Sequence, residues 1–482
     1  MKISSFLPPS QSFTANVLKL ATGSTLAQAL GFLIAPIITR LFAPEAFGVC
    51  ALFISITAIV GVIACLRYEQ AIMLPQTHEE AVNVLAVCIC STILIALFSG
   101  MIVVFAGSAI SRRLAAPELN TYLGLIPLAV LFSGLFTALN YWNSRTKHFG
   151  RLSVAQIISS VTTQAAKLSA GFAGFVSSGV LIGATILGGG VSAGALTIQV
   201  WRDDRRLFAH HVRWRNIARM FLRFKKFPLI DSWGGLLNSI SWQLPALMLS
   251  SFFSITVVGF YALVMSVIKS TSNILSGTIA QVFFQQACEE RTSHGELVEK
   301  IMERLMFIGI LPTIVLAISG EELFGVLFGQ RWSEAGCYSQ ILAPWFFVWF
   351  LSSPLSTLFS VYERQGSALT LHSFIFVTRV VSLYIGGIYQ NIYLALGLFS
   401  ATGVLAYTFV AIWNIRLANA DGIKILSHFI KYGLYSLPPS LLLLIIKYIA
   451  HCGHNVIASS AIIIFILYVF IVTGIYRQMM RT

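Results

Sequence analysis

Charged residues are scarce in this chain of 482 residues, at 10% of the sequence, whereas hydrophobic residues make up 57%. A soluble domain carries about a quarter charged residues, so this composition excludes an ordinary soluble protein. Apolar runs of about twenty residues or more recur along the chain, which excludes a single large soluble core as well. The sequence therefore predicts an all-α integral membrane protein.

Signals of catalysis and cofactor binding are also lacking. The seven cysteines have no metal-ligand spacing, and most lie in predicted spans, so we predict no disulfide and no metal site. No GxxxxGK[ST] motif for ATP occurs, and the nine histidines are scattered. The Gly-rich stretch 183–194 lies inside a span, which favours close helix packing over phosphate binding. We therefore predict a protein that is not an enzyme and has no cofactor, and coupling to H⁺ or Na⁺ stays open.

Fourteen candidate spans cover most of the chain. With both termini in the cytoplasm, the cytoplasmic segments hold 23 of the 32 Lys and Arg residues, and the opposite side holds five. This bias follows the positive-inside rule, so it accounts for the net charge of +14 without nucleic acid as a partner. The N-terminus has no short apolar core with a cleavage site, so the first span is expected to remain. The spans lie near 15–42, 46–70, 80–106, 120–142, 152–175, 177–200, 228–253, 257–284, 303–328, 338–361, 367–387, 392–415, 425–448 and 456–476.

An internal repeat divides these spans. The segment LFAPEAFGVCALFISI (41–56) resembles FFSITVVGFYALVMSV (252–267) at an offset of 211, which pairs Gly48 with Gly259. A few matches among apolar letters also arise by chance. As a parallel repeat, the pattern predicts a first lobe at 1–226, whose basic cytoplasmic end is 201–226, and a second lobe at 227–420. A two-span extension at 421–482 follows.

Four cations lie inside predicted spans, although a Lys or Arg at the centre of a span costs about 2.5–3.5 kcal/mol. Such residues should face the bundle interior or a wet cavity. Only one acidic residue, Asp231, is clearly embedded in a predicted span. Glu69 is not counted because it lies at the inner edge of the second span. Surplus positive charge favours an anionic ligand such as phosphate, pyrophosphate or an acidic sugar. The four cations are Lys19, Lys167, Lys269 and Arg379.

The two most central cations have two open interpretations. Lys269 shares a helical face with Ser266 and Asn273, and Arg379 is similarly deep in the eleventh span. Either residue could contact the substrate, or Asp231 and backbone carbonyls could hold it as a structural group. By contrast, cations and acids near span ends, such as Lys19 and Asp231, could reach the headgroups.

Three segments resemble a known family. They are TGSTLAQALGFLIAPIITRLFAPEAFGVCALFISI (22–56), RYEQAIMLP (67–75) and FPLIDSWGGLLNSISWQLPALMLSSFFSITVVGFYALVMSV (227–267). They resemble the Wzx-type flippases of O-antigen and capsule repeat units, polysaccharide transporters of the MOP superfamily. The resemblance implies two six-helix lobes, about 14 helices in all, that alternate access to a central cavity. It also implies a bacterial inner-membrane protein that moves a polyprenyl-pyrophosphate-linked oligosaccharide to the periplasmic leaflet.

The same resemblance implies a substrate-binding set. In related flippases helices 1, 2, 7 and 8 line the cavity, and the two extra helices can offer the lipid tail a groove. Expected partners are the lipid-linked oligosaccharide, membrane lipids, a polysaccharide polymerase and chain-length proteins. With the embedded polar residues added, the predicted set is Lys19, Arg67, Glu69, Lys167, Asp231, Asn238, Lys269, Asn273 and Arg379.

Three other functions stay open. A multidrug antiporter of the same superfamily generally needs a carboxylate embedded in a span, and the first half of this chain offers only Glu69. A membrane O-antigen polymerase or ligase tends to carry a sizeable periplasmic loop, whereas the largest loop here, 201–226, is predicted to be cytoplasmic. A lipid II flippase is the third, and the sequence separates it poorly from a flippase of O-antigen or capsule repeat units.

Overall fold

The computed structural model describes residues 13–289, 294–362, 364–449 and 453–479, and all of its regular structure there is helical. The side chains of 13–22, 273–294, 449 and 469–479, and of several residues at 360–369, lie outside this description. The described helices are α1 (Phe13–Leu41), α2 (Pro44–Gly61), α3 (Tyr68–Ala71), α4 (His78–Arg113), α5 (Leu119–Leu123), α6 (Ile126–Arg145), α7 (Phe149–Phe172), α8 (Ser178–His211), α9 (Trp214–Arg223), α10 (Ser232–Phe252), α11 (Ile255–Glu289), α12 (His294–Phe328), α13 (Ser333–Leu355), α14 (Leu358–Val361), α15 (Gln365–Ile388), α16 (Ile392–Leu417), α17 (Gly422–Leu444) and α18 (His454–Met479).

The predicted spans correspond to long helices. Each of the fourteen overlaps a helix of 18 residues or more. By length and mean hydropathy, nine helices within the described ranges are able to cross a membrane. The all-helical membrane fold is thereby confirmed, whereas the count of fourteen spans stays a prediction. Helix α7 is not among the nine because one of its faces carries Gln156, Ser159 and Thr163.

The chain forms two compact units, Met1–Gly259 and Phe260–Thr482. The first unit therefore contains α10, the helix that the repeat assigns to the second lobe, and the predicted boundaries at 226 and 420 stay a prediction. Within the first unit, α4, α6 and α8 enclose a core around Tyr68, Leu85 and Trp142. Within the second, α12 packs against α13, α17 and α18 around Leu305 and Phe350.

Helix α2 crosses the start of α11, and the two backbones approach each other most closely at two glycines of the first unit. A Cβ on Gly48 would lie 2.0 Å from the carbonyl oxygen of Ile255, and a Cβ on Gly259 would lie 1.9 Å from that of Pro44. The offset of 211 residues relates Gly48 to Gly259 and Pro44 to Ile255. The two contacts are thus the same contact made twice, as in a two-fold arrangement in which each partner meets the other's equivalent.

One hydrogen bond flanks this crossing. The Thr256 hydroxyl donates to Glu45 Oε1 at 2.9 Å, and these two residues also differ by 211 positions. Each is therefore the repeat equivalent of the other. Residues matched by the internal repeat thus meet in space at the crossing of α2 and α11.

A buried ion pair joins the C-terminal extension to the rest of the second unit. Lys447 belongs to a π-helical turn, Ile445–Ile449, that follows α17. Its Nζ lies 2.9 Å from Glu322 Oε1 of α12 and donates to the carbonyl of Ile318 at 2.7 Å. Glu322 is 3% exposed, so this pair replaces the water that both charges lose. Lys447 is one of the five basic residues predicted on the side opposite the cytoplasm, and the sequence alone does not indicate this partner.

Candidate functional site

A chamber of about 770 Å³ lies within the first unit, between α1, α2, α6, α7, α8 and α10. All the side chains that line it are uncharged, and half of them are polar. Most of the accessible surface of the wall is apolar, and the hydroxyl and amide groups within it can form hydrogen bonds with a ligand that is rich in hydroxyl groups. The polar lining consists of Ser24, Gln28, Thr57, Ser133, Thr137, Gln156, Ser159, Ser160, Thr185, Ser192 and Ser239.

Two of these polar groups have a buried atom without a hydrogen-bond partner among the described residues. Several others are satisfied by nearby carbonyls; for example, Ser160 donates to Ala27 at 2.7 Å and Ser239 donates to Ala58 at 3.2 Å. In contrast, Thr57 Oγ1 and Gln156 Oε1 are buried and unpartnered within the described structure. An unsatisfied buried polar atom costs about 1–3 kcal/mol, so its presence in a native fold needs an explanation. Both atoms have almost no accessible surface, so a ligand in the chamber would supply a partner once the Thr57 or Gln156 side chain turns toward it.

Helix α7 brings its polar face to the chamber because α8 is rich in glycine. Gln156, Ser159 and Thr163 recur at helical spacing and so share one face of α7. On α8, a Cβ at Gly188 would lie 1.9 Å from Thr163 Oγ1 and 2.7 Å from the carbonyl of Ser159. Only glycine permits this approach. The Gly-rich stretch 183–194 thus provides close helix packing at Gly188, as its position in a span predicts.

Three charged residues of the predicted set meet in the first unit. Arg67 Nε donates to Asp231 Oδ2 at 2.8 Å, and Arg67 Nη1 lies 3.4 Å from Glu69 Oε1. Gln70 also donates to Asp231, at 3.1 Å. Gly235, one turn into α10, leaves room for the guanidinium, because a Cβ there would lie 3.4 Å from Arg67 Nε. From the sequence, Asp231 was a possible partner of Lys269 or Arg379. In the structure, Asp231 is bound by Arg67.

A left-handed turn places this cluster. Helix α2 ends at Gly61, well before the predicted end of its span at 70. Leu66 and Arg67 then have φ angles of 51° and 62°, a conformation uncommon outside glycine. The turn sends Arg67 toward α10 and buries Tyr68, whose hydroxyl donates to the carbonyl of Phe221 at 2.9 Å. Such strained positions concentrate at functional sites, which supports a role for the RYE segment.

In the second unit, Arg379 is enclosed by aromatic side chains. It is 5% exposed, and its Nη2 donates to the hydroxyl of Tyr407 at 3.1 Å. Its guanidinium lies 5.7 Å from the centre of the Phe399 ring, within the range of a cation–π interaction. Lys269 of α11 is half-buried and within electrostatic range of Arg379. These contacts account for the interior position of Arg379, and its contact with substrate stays a prediction.

Among the other predicted residues with described side chains, Lys167 and Asn238 do not line the chamber. Lys167 is half-buried on α7, and Asn238 is exposed on α10, one residue before the lining Ser239. The side chains of Lys19 and Asn273 lie outside the described residues. Thr57 and Gln156 are absent from the predicted site residues because that set was chosen mainly for embedded charge. The available signal was the polar stripe that Ser160 and Gln164 form on the span of α7.

Comparison with known proteins identifies the fold and the family. Two solved structures are similar. One is "Lipid II flippase MurJ, inward closed conformation", with a TM-score of 0.77, 12% identity and coverage of 96% of this chain and 100% of that chain. The other is an inward-facing MATE-family multidrug resistance transporter of the MOP superfamily, with a TM-score of 0.59, 15% identity and coverage of 86% and 97%. These likenesses show the fold of MOP-superfamily transporters.

No curated protein matches the chain. A family described as "Polysaccharide biosynthesis protein" matches residues 37–336, which is more than half of the chain. The match includes α2, α7 and the Arg67 cluster, and it confirms the family resemblance over the resembling segments 67–75 and 227–267 and over the part of 22–56 from residue 37 onward. The chain is therefore a multi-pass membrane protein that belongs to the polysaccharide biosynthesis protein family.

Proposed function

We propose that this protein is a flippase that moves polyprenyl-pyrophosphate-linked oligosaccharide repeat units across the bacterial cytoplasmic membrane. The observation that carries the proposal is a chamber without charged side chains, half of whose lining residues are Ser, Thr or Gln, in an apolar member of a polysaccharide biosynthesis family. A sugar head group cannot cross hydrocarbon unaided because its hydroxyls and charges would lose their water. Hydroxyl and amide groups on the chamber wall replace part of that hydration, while the prenyl tail remains in lipid.

Sugar and pyrophosphate call for different side chains. The chamber provides neutral partners, including Thr57 and Gln156, which suit sugar hydroxyls. The pyrophosphate needs cations, and Lys269 is our candidate, with Arg379 within electrostatic range of it. The unit would be exposed to each leaflet in turn by alternating access. We place both termini in the cytoplasm, because this arrangement gives the cytoplasmic segments most of the Lys and Arg residues.

Lipid II is the second candidate substrate. The support for it is the TM-score of 0.77 with the MurJ flippase over 96% of this chain. Its head group is also a sugar pyrophosphate on a polyprenyl tail, so the chamber chemistry does not separate the two. A multidrug antiporter is less well supported, because carboxylates are missing from the described lining of the chamber.

The function is tested in a strain from which the gene is deleted. We expect surface polysaccharide to disappear and its lipid-linked repeat unit to accumulate on the cytoplasmic leaflet, where added periplasmic glycosidase cannot reach it. Expression of the protein in a strain depleted of its lipid II flippase is the second arm, and we expect no rescue of growth. Rescue there, with normal surface glycan in the deletion strain, would identify lipid II as the substrate instead.

The unpartnered hydroxyl of Thr57 gives a prediction that separates transport from stability. We expect Thr57→Val to leave the protein level unchanged or higher, because the valine removes a buried polar atom without a partner. Surface glycan should nevertheless fall by about tenfold, which corresponds to about 1.4 kcal/mol of lost ligand interaction. The measurement is glycan per molecule of transporter in the complemented deletion strain.

Thr197→Val is the matched control for this substitution. Thr197 lies on α8, is exposed, does not line the chamber and donates to the carbonyl of Ala193 at 2.8 Å. It should leave glycan output unchanged. Full transport by Thr57→Val, or equal losses in the two variants, would remove the chamber from the proposed pathway.

The charge of Lys269 gives a prediction for the anionic part of the substrate. Lys269→Met should abolish most glycan export at normal protein level, and Lys269→Arg should retain much of it because the positive charge remains. Lys300→Met, at an exposed position of α12, is the control and should export normally. Full export by Lys269→Met would assign Lys269 a packing role.

A further inference from the structure

Helix α9 (Trp214–Arg223) is a short surface helix of the first unit with three distinct faces. Its inner face carries Ile217 and Met220, which pack on the core next to α4. Its outer apolar face carries Trp214 and Leu222, which are 77% and 63% exposed. Along the border of that outer face runs a stripe of arginines at every fourth position: Arg215, Arg219 and Arg223.

Three further exposed apolar residues follow α9 in the chain. They are Leu229 and Ile230, in the π-helical turn Phe227–Asp231, and Trp233, the second residue of α10. Together with Trp214 and Leu222 they form what we call the α9 apolar strip. Exposed apolar residues that include tryptophans and lie beside arginines are typical of helices in a membrane interface.

The arginines at this border are not equivalent. Arg223 Nη1 pairs with Glu80 Oε2 of α4 at 2.9 Å, so it holds the helix to the protein. Arg215 and Arg219 are exposed, and in the part of the chain that the structure describes they have no ion-pair partner. Their planar guanidinium groups have the donor geometry that matches a phosphate group.

From these features we infer that α9 is a binding site for anionic phospholipids of the cytoplasmic leaflet. Arg215 and Arg219 contact the headgroup phosphates, and the α9 apolar strip lies at the boundary between headgroups and acyl chains. Charge complementarity selects this occupant, because the stretch 201–226 carries nine Lys and Arg against Asp203 and Asp204.

Lipid at this site would also act on the Arg67 cluster. The carbonyl of Phe221 on α9 accepts the hydrogen bond of Tyr68, and Tyr68 directly follows Arg67. A headgroup that holds α9 in the interface therefore helps to hold the left-handed turn that sends Arg67 to Asp231. This role goes beyond the proposed transport function and applies to either lipid-linked substrate.

The test measures lipid retention by the purified full chain. The protein is extracted in mild detergent, supplied with equal amounts of phosphatidylglycerol and phosphatidylcholine, and examined by native mass spectrometry. We expect wild type to retain phosphatidylglycerol preferentially. The double variant R215Q/R219Q should reduce that preference by on the order of tenfold, because each basic residue near an anionic surface contributes to binding. Raised salt should reduce it in wild type.

A matched variant removes the same charge elsewhere. Arg112 and Arg113 are exposed at the C-terminal end of α4, and R112Q/R113Q should retain phosphatidylglycerol as wild type does. The pair W214S/L222S keeps every charge and should weaken retention of both lipids. Equal losses in the two arginine variants, or equal retention of both lipids by wild type at low salt, would overturn the proposal.

Two features keep the outcome interpretable. Thermal unfolding of R215Q/R219Q should match wild type in detergent alone, since neither arginine has an ion-pair partner among the described residues. If it does not, the salt dependence of wild-type retention decides. Retention unaffected by salt would overturn the proposal. The assay contains no glycan substrate, so its failure and the failure of the proposed transport function are separate results.

Discussion

Alanine at Gly48 or at Gly259 is expected to lower the folded yield of the protein and its temperature of unfolding sharply. The added Cβ would lie 2.0 Å from the carbonyl oxygen of Ile255 in one case and 1.9 Å from that of Pro44 in the other. Both obstacles are backbone atoms, so no change of rotamer relieves them, and the two helices must separate. Overpacking costs about 1–3 kcal/mol and occasionally more, and we expect the upper end of that range or beyond.

The reciprocal geometry makes this prediction specific. In the double variant, the second alanine enters a crossing that the first has already opened, so the combined loss should be smaller than the sum of the single losses. Gly194→Ala is the control, because nothing lies within 4 Å of a Cβ there and alanine favours the helix. Thermal unfolding followed by size-exclusion chromatography measures all four proteins. Additive losses, or a loss at Gly194 as large as that at Gly48, would contradict a shared crossing.

The second large effect is expected at Arg67. Arg67→Met removes the cation that pairs with Glu69, whose side chain is buried and whose Oε2 already has no partner in the described structure. Breaking a buried pair on one side costs about 3–5 kcal/mol, because the other charge stays buried without compensation. Asp231 suffers less, since it is more exposed and keeps the hydrogen bond from Gln70. We expect a strongly lowered unfolding temperature and little export.

A second substitution distinguishes charge from packing in this cluster. Glu69→Gln in the Arg67→Met protein removes the uncompensated carboxylate, so it should recover much of the lost stability. Arg223→Met breaks the solvent-exposed pair with Glu80 and serves as a control that should cost at most about 1 kcal/mol. If Glu69→Gln lowered stability further in the Arg67→Met protein, the buried charge would not be the cause.

The course of the main helices could be predicted from the sequence, but their ends could not. Long apolar runs such as 80–106 and 392–415 are local features, and they lie within α4 and α16. The end of α2 was misplaced, because its span was predicted to reach residue 70 and the helix ends at Gly61. Leucine and arginine favour right-handed conformations, so nothing local indicates the left-handed turn at Leu66 and Arg67. Packing of Tyr68 in the core holds that turn.

The charged residues of the candidate site could likewise be predicted from the sequence, whereas the neutral ones could not. A charge inside a membrane span costs free energy, so Lys269, Arg379 and Asp231 are recognisable as candidates in an apolar sequence. Neutral residues such as Thr57 and Gln156 do not stand out, because most Ser, Thr and Gln side chains in helices find a partner nearby. Whether such a group is left without a partner depends on the neighbouring helices, which only the structure shows.

By itself, the sequence determined that this is a multi-pass helical membrane protein and that its segments resemble polysaccharide transporters. Hydropathy and residue spacing suffice for this, because a helix in lipid satisfies its own backbone hydrogen bonds. The tertiary structure decided the partners: Arg67 meets Asp231, Gly48 meets Ile255, and the Thr57 hydroxyl in the chamber wall has no partner among the described residues. The partners in the two contacts are more than 150 positions apart, so their meeting depends on how whole helices pack rather than on any local pattern.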